Sequence, residues 1–79
     1  MHYVYIIETK AEPKHFYVGS TQDLKARMAD HNAGRSTHTS SLRPWALVWY
    51  GAFSNKSKAG AFERYLKSAS GRAFQKKHL

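Results

Sequence analysis

The chain has 79 residues, 42% of them hydrophobic, with no cysteine and a formal net charge of +8 at pH 7. This length predicts one domain over residues 1–79 that an apolar core stabilises, and the missing cysteines exclude disulfides and thiolate metal sites. The chain lacks the run of ~18 apolar residues that a membrane span requires, no signal peptide is expected, and the cysteine usage fits a cytoplasmic protein.

The first elements in chain order are two predicted strands and a helix. Residues 3–7 and 15–19 are rich in β-branched and aromatic side chains, and the polar stretch between them contains the turn residue Pro13, which predicts an antiparallel hairpin. Ser20 or Thr21 is expected to cap a helix that runs to about Asn32, with Gly34 just past its end.

The second half of the chain predicts one more strand and two more helices. Residues 45–50 are apolar without alternation, which is typical of a central strand covered on both faces. Ser54 is expected to cap a helix to about Lys67, and Ser70 a short last helix. The order β-β-α-β-α-α predicts an α+β fold in which helices flank a small antiparallel sheet.

The positive charge is concentrated in the second half, where residues 31–79 hold nine basic side chains and one acidic side chain, Glu63. Such a surface favours nucleic acid as the partner, because phosphates attract cations and release counterions on binding. An anionic membrane would fit the charge alone, but no basic amphipathic helix of the membrane type is present. The predicted nucleic-acid-binding residues are Arg35, Arg43, Lys67, Arg72, Lys76 and Lys77.

The predicted hairpin brings two phenols together. If it is symmetric about residue 11, Tyr5 lies directly across from Tyr17 on one face of the sheet. The pair is explained either by simple aromatic packing, which is common in sheets, or by a chemical role. On the first helix, Arg27 and His31 are four residues apart and share a side. They are either a solvated Arg and an exposed His or a clamp for a phosphate.

Glu63 has two readings as well. It is either an ordinary ion-pair partner of Lys67 or a hard oxygen ligand for Mg²⁺, which proteins bind through one or two carboxylates together with substrate phosphate. The spacing of the five histidines does not indicate a zinc site.

These residues together resemble the GIY-YIG nuclease superfamily. Tyr3-Val4-Tyr5 and Tyr17-Val18-Gly19 resemble the two halves of its signature, Arg27 its helix arginine and Glu63 its metal-binding acid. Residues 19–24, 31–34, 44–45 and 63–68 resemble the compact stand-alone bacterial branch. That branch is related to the N-terminal nuclease domain of the excision-repair subunit that makes the 3′ incision. The resemblance covers residues 3 to about 74.

The resemblance implies a three-stranded antiparallel sheet with flanking helices. It also implies an endonuclease that hydrolyses one phosphodiester per site, with one Mg²⁺ or Mn²⁺ on Glu63 and a 5′-phosphate product. The implied catalytic residues are Tyr5, Tyr17 and Arg27. His31 is the reserve candidate for the general base, since an unperturbed tyrosine has a pKa near ~10.

The sequence departs from the signature at three positions. Tyr3 stands where the signature has its first Gly, Val18 replaces the Ile of the second half, and Ser20 replaces a Lys that often follows it in the repair subunit. A role of that Lys in activating the tyrosine is therefore not expected here, and His31 is expected to compensate.

Three functions fit the sequence. The first is a metal-dependent endonuclease that acts on DNA in preference to RNA. It is expected to be a monomer or weak homodimer with a place in DNA repair. A non-catalytic nucleic-acid-binding module on the same fold is the alternative, and an assembly factor on ribonucleoprotein is the third. Product formation with Mg²⁺ distinguishes the first from the other two.

Overall fold

Three strands and two helices follow one another in a computed structural model that describes residues 1–10, 12, 15–35 and 42–68. They are β1 (His2–Thr9), β2 (Phe16–Thr21), α1 (Leu24–Ala33), β3 (Trp45–Phe53) and α2 (Lys56–Lys67). The predicted α+β fold with a three-stranded antiparallel sheet is confirmed. The predicted last helix, capped at Ser70, lies outside the described residues.

β1 is the central strand, since the sheet order is β2-β1-β3. Four consecutive residues of β1, from Val4 to Ile7, are at most 1% exposed, because helices cover both faces of this strand. The prediction that residues 45–50 form the central strand was wrong. β3 is an edge, where Leu47 and Tyr50 are 40% and 53% exposed. An apolar run predicts burial, but it does not specify which of several apolar strands lies in the middle.

Side chains along β1 alternate between two helix-covered faces. On the α2 face, Val4 and Ile6 pack with Val18 and with the buried helix residues Ala59 and Leu66. Three partly buried aromatic side chains, Trp49, Phe53 and Phe62, pack against this cluster. The other face carries a second cluster, formed by Tyr5, Ile7 and Trp45 with Tyr17, Leu24 and Met28.

The hairpin register differs from the predicted one by two residues. Tyr5 pairs with Gly19 and Ile7 pairs with Tyr17, so the hairpin is symmetric about residue 12. The expected direct pairing of Tyr5 with Tyr17 was therefore wrong. A shift of two residues keeps every side chain on its face, whereas a shift of one would have separated the phenols. Tyr5 and Tyr17 remain diagonal neighbours on the face that α1 covers.

The helix starts lie later than predicted. β2 extends to Thr21, so Ser20 and Thr21 belong to the strand, and Asp23 caps α1 by accepting a hydrogen bond from the Ala26 amide. Asn55, not Ser54, caps α2. The predicted stop at Gly34 is confirmed by its left-handed φ of 80°. Among the described residues, no helix has the length and apolarity needed to cross a membrane.

Candidate active site

Three rings meet on the α1 face of the sheet. The His31 ring centroid lies 5.7 Å from that of Tyr5 and 5.3 Å from that of Tyr17, both in edge-to-face geometry. The Tyr5 hydroxyl oxygen is 2.8 Å from His31 Nε2. His31 is 0% exposed, so the reading of an exposed histidine was wrong. The helical spacing correctly predicted the side of α1 on which His31 lies. Its burial between Tyr5 and Tyr17 results from the packing of α1 on the sheet.

Gly19 allows the phenols to come this close. A Cβ atom at this position would lie 2.5 Å from the Tyr5 hydroxyl oxygen and 3.1 Å from Tyr17 Cε1. The Tyr5 ring therefore crosses the space where any other residue would carry a side chain. A glycine inside a strand often marks such a close approach, and this was the sequence signal for its role.

Arg27 completes the group from the turn of α1 that precedes His31. Its guanidinium hydrogen-bonds to the Tyr5 phenol, and one of its nitrogens lies 3.8 Å from a carboxylate oxygen of Asp30. The Arg27 side chain is 33% exposed. The buried phenol therefore holds one side of the guanidinium, and the other part reaches solvent. The solvent-facing N–H groups can donate to a phosphate oxygen.

Burial keeps Tyr5 and His31 neutral near pH 7. Burial raises the pKa of the Tyr5 phenol, and the hydrogen bond from Arg27 only partly opposes this. Burial and the charge of Arg27 lower the pKa of His31. Arginine has no acceptor, so Arg27 donates to the phenol oxygen, and the phenol hydrogen can then be donated to the neutral imidazole. The simplest chain of donors runs from Arg27 through Tyr5 to His31.

Two hydrogen bonds fix the end of α1 that carries His31. The Asn32 side chain accepts from the Trp45 amide at 2.6 Å and donates to the Trp45 carbonyl at 3.2 Å. The Asn32 side-chain amide thus pairs with the Trp45 backbone in the way a neighbouring strand would. Sequence reasoning missed this contact, because nothing in the local pattern pairs Asn32 with a residue thirteen positions away.

Glu63 approaches the same edge of the sheet from the α2 side. One carboxylate oxygen accepts from the Ser20 hydroxyl at 2.9 Å and the other from Lys67 Nζ at 2.9 Å. The predicted ion pair with Lys67 is therefore present. Ser20 directly follows Gly19, so the carboxylate reaches β2 one residue from the point where the Tyr5 phenol crosses it.

Hydrogen bonds lower the pKa of the Glu63 carboxyl. Burial raises its pKa, but hydrogen bonds from Lys67 and Ser20 outweigh burial, and the net pKa lies below the ordinary range. The negative charge contributes in turn to the raised pKa of Tyr5. Ser20 pairs with Val4, so it lies on the α2 face, and the hydrogen bonds of Glu63 to Ser20 and Lys67 are on that side of the sheet. The structure therefore brings Tyr5, Tyr17, Arg27 and His31 together but leaves Glu63 outside their cluster.

The oxygen ligands around Glu63 could hold one hard divalent cation if substrate and water supplied its remaining ligands. A cavity of about 400 Å³ is lined by Glu63, Ser20, Thr21, Gln22 and His2, among others. A carboxylate has about four lone-pair positions, and two are occupied by the bonds above. Within the described residues no group of three or more His, Cys, Asp or Glu could hold a metal ion. One carboxylate with neighbouring hydroxyl and amide groups, and with Lys56 and Lys67 close by, could hold a divalent cation only together with a phosphate and water.

The predicted nucleic-acid-binding residues fall into three groups. Arg35 is engaged by Asp30, with its Nε 2.8 Å from a carboxylate oxygen, and the exposed Arg43 lays its guanidinium against Gly34. Lys67 lies beside Glu63. Arg72, Lys76 and Lys77 lie outside the described residues.

Comparisons with known proteins identify the family of the chain. The family model of the GIY-YIG catalytic domain matches residues 1–78. A UPF0213 protein of Staphylococcus haemolyticus is 41% identical over 70 residues, covering 87% of this chain and 83% of the relative. A UPF0213 protein of Streptococcus pyogenes serotype M5 is 36% identical over 72 residues, covering 90% and 76%.

A third relative, a UPF0213 protein of Haloquadratum walsbyi, is 38% identical over 68 residues, covering 85% of this chain and 74% of the relative. No solved structure matches the chain significantly. The matched family model, the relatives and the observed sheet agree, and the chain belongs to the GIY-YIG family, within its stand-alone UPF0213 group.

Proposed function

We propose that this protein is a divalent-metal-dependent endonuclease that hydrolyses phosphodiester bonds, with DNA as the favoured substrate. Membership in the GIY-YIG family indicates a nuclease-type activity on nucleic acid. The observation that carries the proposal is the cluster on the α1 face, where Tyr5, Tyr17, Arg27 and His31 meet.

Arg27 is proposed to neutralise a non-bridging oxygen of the scissile phosphate. Hydrolysis builds negative charge on these oxygens, and a prepositioned guanidinium stabilises that charge without reorganising. The hydrogen bond to Tyr5 and the nearby Asp30 carboxylate hold the guanidinium in place before substrate arrives.

Tyr17 is proposed to orient the attacking water and accept its proton. It is less buried than Tyr5, which is 1% exposed and engaged with His31 and Arg27. Of the two phenols, Tyr17 is therefore the one with access to a water molecule.

His31 is proposed to position Tyr5 rather than to act as the general base. Its pKa is lowered, so it is neutral at pH 7 and chemically able to accept a proton. However, its side chain is fully buried and its Nε2 is engaged by the Tyr5 hydroxyl. A base must lie within hydrogen-bonding reach of the proton it removes, which argues for Tyr17 over His31.

Glu63, with the hydroxyl-bearing residues of its cavity, would hold one Mg²⁺ or Mn²⁺. The ion would supply Lewis-acid stabilisation of the leaving 3′-oxygen. The basic residues Arg35, Arg43 and Lys67, with Arg72, Lys76 and Lys77, are proposed to contact the nucleic-acid backbone. Such contacts bind phosphates without reading sequence, so structure-selective or weakly selective cutting is expected.

The test is a plasmid-nicking assay with Mg²⁺, Mn²⁺ or EDTA, on the parent protein and on Glu63→Gln. The substitution removes the charge and keeps the side-chain volume. The matched control is Glu12→Gln, which removes a carboxylate from an exposed position outside the cluster. Cleavage by the parent and the control, with none by Glu63→Gln and none in EDTA, supports the proposal. Cleavage by Glu63→Gln at the parent rate contradicts the metal role.

One observation favours a second candidate function, a non-catalytic nucleic-acid-binding module. Both carboxylate oxygens of Glu63 already accept hydrogen bonds from protein groups. If those bonds persist when nucleic acid binds, the carboxylate is a structural anchor between α2 and β2. This candidate predicts tight binding that EDTA does not change and no product under any metal condition.

A further inference from the structure

An aromatic pair of one exposed and one half-buried ring lies beside the cluster on the same face of the sheet. Tyr3 and Tyr50 make an edge-to-face contact with ring centroids 6.1 Å apart, and Tyr50 remains 53% exposed. Neither ring belongs to the two buried clusters of the core. Tyr3 also stands where the family signature has its first glycine, so it places a ring where the signature has no side chain.

The register places this pair directly next to the catalytic candidates. Tyr50 is the β3 partner of Tyr5, and side chains of directly paired residues lie about 5 Å apart at their Cβ atoms. Tyr3 is two residues from Tyr5, which puts it on the same face at roughly 7 Å along the strand. A ligand whose phosphate lies at Arg27 and Tyr5 therefore has an aromatic surface about one nucleotide away.

A bulge in β3 widens the surface. Ile6 pairs with Trp49 and Ile7 with Leu47, so Val48 is the extra residue. Without it, Leu47 and Tyr50 would point to opposite faces; with it, both lie on the face of Tyr5. Leu47 is 40% exposed and extends the apolar surface along the sheet edge.

The cavity at the aromatic pair is amphipathic. It measures about 400 Å³ and is lined by Tyr3, Tyr50, Leu24, Gln22, Asp23 and Lys25. The two rings and Leu24 offer flat apolar surface, Lys25 a cation for a phosphate, and Gln22 an amide that can pair with a polar edge. Asp23 is engaged as the cap of α1.

We propose that the Tyr3–Tyr50 pair is a stacking platform for the base of an unpaired nucleotide next to the scissile phosphate. Bases inside a duplex have both faces covered by their neighbours, whereas an unpaired base can offer a free face to an exposed ring. The net charge of +8 favours the polyanion that carries such a base. The proposal rests on the proposed function and names its substrate class, nucleic acid with an unpaired base at the cleavage point.

The test is equilibrium binding in EDTA to three labelled DNAs. They are a blunt duplex, the same duplex with a single-stranded extension, and the extended duplex with abasic sites in the extension. The parent is expected to prefer the base-bearing extension. Tyr50→Leu is expected to weaken that binding by about 5- to 150-fold, the usual range for one stacked base, and to leave binding to the blunt duplex unchanged.

Two further variants make the result specific to the platform. Tyr50→Phe keeps the ring and should retain the preference of the parent. Phe16→Leu removes an aromatic ring of similar exposure (55%) from the other edge strand, and should also retain it. Circular dichroism and the Tm establish that each variant is folded.

Three results would overturn the proposal. The first is equal affinity of the parent for base-bearing and abasic extensions. The second is an unchanged preference in Tyr50→Leu. The third is concentration-dependent dimerisation in sedimentation that Tyr50→Leu abolishes while the base preference persists, since the surface would then bind a second copy. Nicking with Mg²⁺ is measured separately on the same preparations, so a lost preference with intact cleavage is distinguishable from a protein that binds but never cuts.

Discussion

The two faces of the sheet are built from the same central strand but perform different tasks. On the α2 face, Val4 and Ile6 meet Leu66 and Ala59, and the rings of Trp49, Phe53 and Phe62 pack around them. Among the residues that the structure describes, the members of that cluster are all hydrophobic. On the α1 face, alternate residues of the same strand bring buried polar atoms, with Tyr5 and His31 joined by a hydrogen bond inside the core.

This difference shows how a small domain can combine stability and a site. Buried polar groups stabilise little beyond the cost of their desolvation, so the α1 face contributes less to folding than its buried volume suggests. The α2 face supplies apolar burial without that cost. We expect substitutions in the apolar cluster of the α2 face to change stability and substitutions in the polar cluster of the α1 face to change chemistry.

The largest expected effect is on the α2 face. Leu66→Ala removes a fully buried side chain and is expected to lower the free energy of unfolding by about 2–5 kcal/mol. Domains have roughly 0.05–0.15 kcal/mol of stability per residue, so this is a large part of the total. Urea unfolding measures the loss. The cleavage rate per folded molecule should match the parent; a specific loss of cleavage would show that the faces are not separable.

Next is a pair of glycine substitutions. Gly19→Ala puts a Cβ 2.5 Å from the Tyr5 hydroxyl oxygen, so the phenol must move. A loss of cleavage is expected, with a destabilisation of about 1–3 kcal/mol from overpacking. Gly60→Ala is the matched substitution inside α2, where the nearest atom is 3.6 Å away. It should stabilise by about 0.5–1 kcal/mol. Both variants are followed by urea unfolding and nicking. Normal cleavage by Gly19→Ala would show that Tyr5 is not part of the active site.

A pH experiment examines the buried histidine. The pKa of His31 is lower in the folded protein than in the unfolded chain, because burial and Arg27 disfavour the charged ring. The unfolded chain therefore binds the proton first as the pH falls. The contribution to stability is complete above about pH 6.5 and is lost progressively below it, toward the folded-state pKa.

His31→Gln should accordingly show a smaller decrease of Tm between pH 7.5 and pH 5 than the parent. The other titratable groups are the same in both proteins, so they cancel in the comparison. A decrease equal to that of the parent would mean that His31 titrates as if it were exposed.

The smallest expected effect is at the surface. Lys67→Met removes the partner of Glu63, and an i,i+4 pair of this kind contributes about 0.3–0.5 kcal/mol. Urea unfolding should show a change within that range, with cleavage at saturating DNA retained. A loss above about 1 kcal/mol would show that the pair stabilises the helix far more than exposed pairs do.

The sequence predicted the elements better than their arrangement. Local signals identified the hairpin, both described helices and the stop at Gly34, because side-chain periodicity and left-handed turns are local properties. The position of β3 at the edge was missed, since Trp45 to Tyr50 and the true central strand are both apolar runs. The two-residue register error arose because a loop longer than a tight turn does not fix the pairing of its strands.

Part of the candidate site could also be predicted from local sequence patterns. Strand alternation placed Tyr5 and Tyr17 on one face, and helical spacing placed Arg27 with His31. The contacts of Ser20 with Glu63, 43 residues apart, and of Asn32 with Trp45 were not accessible, because they depend on how the helices dock. The burial of His31 is likewise a result of packing.

The most direct test of the account is the single-turnover cleavage rate of Arg27→Ala, measured with its free energy of unfolding on the same preparation. Arg27 touches the phenol cluster and is part exposed, so its loss should affect the reaction far more than the fold. The account predicts a rate about 100- to 1000-fold below the parent, with stability changed by less than about 1 kcal/mol. A rate within about threefold of the parent, in protein that is equally folded, would contradict the assignment of chemistry to this face.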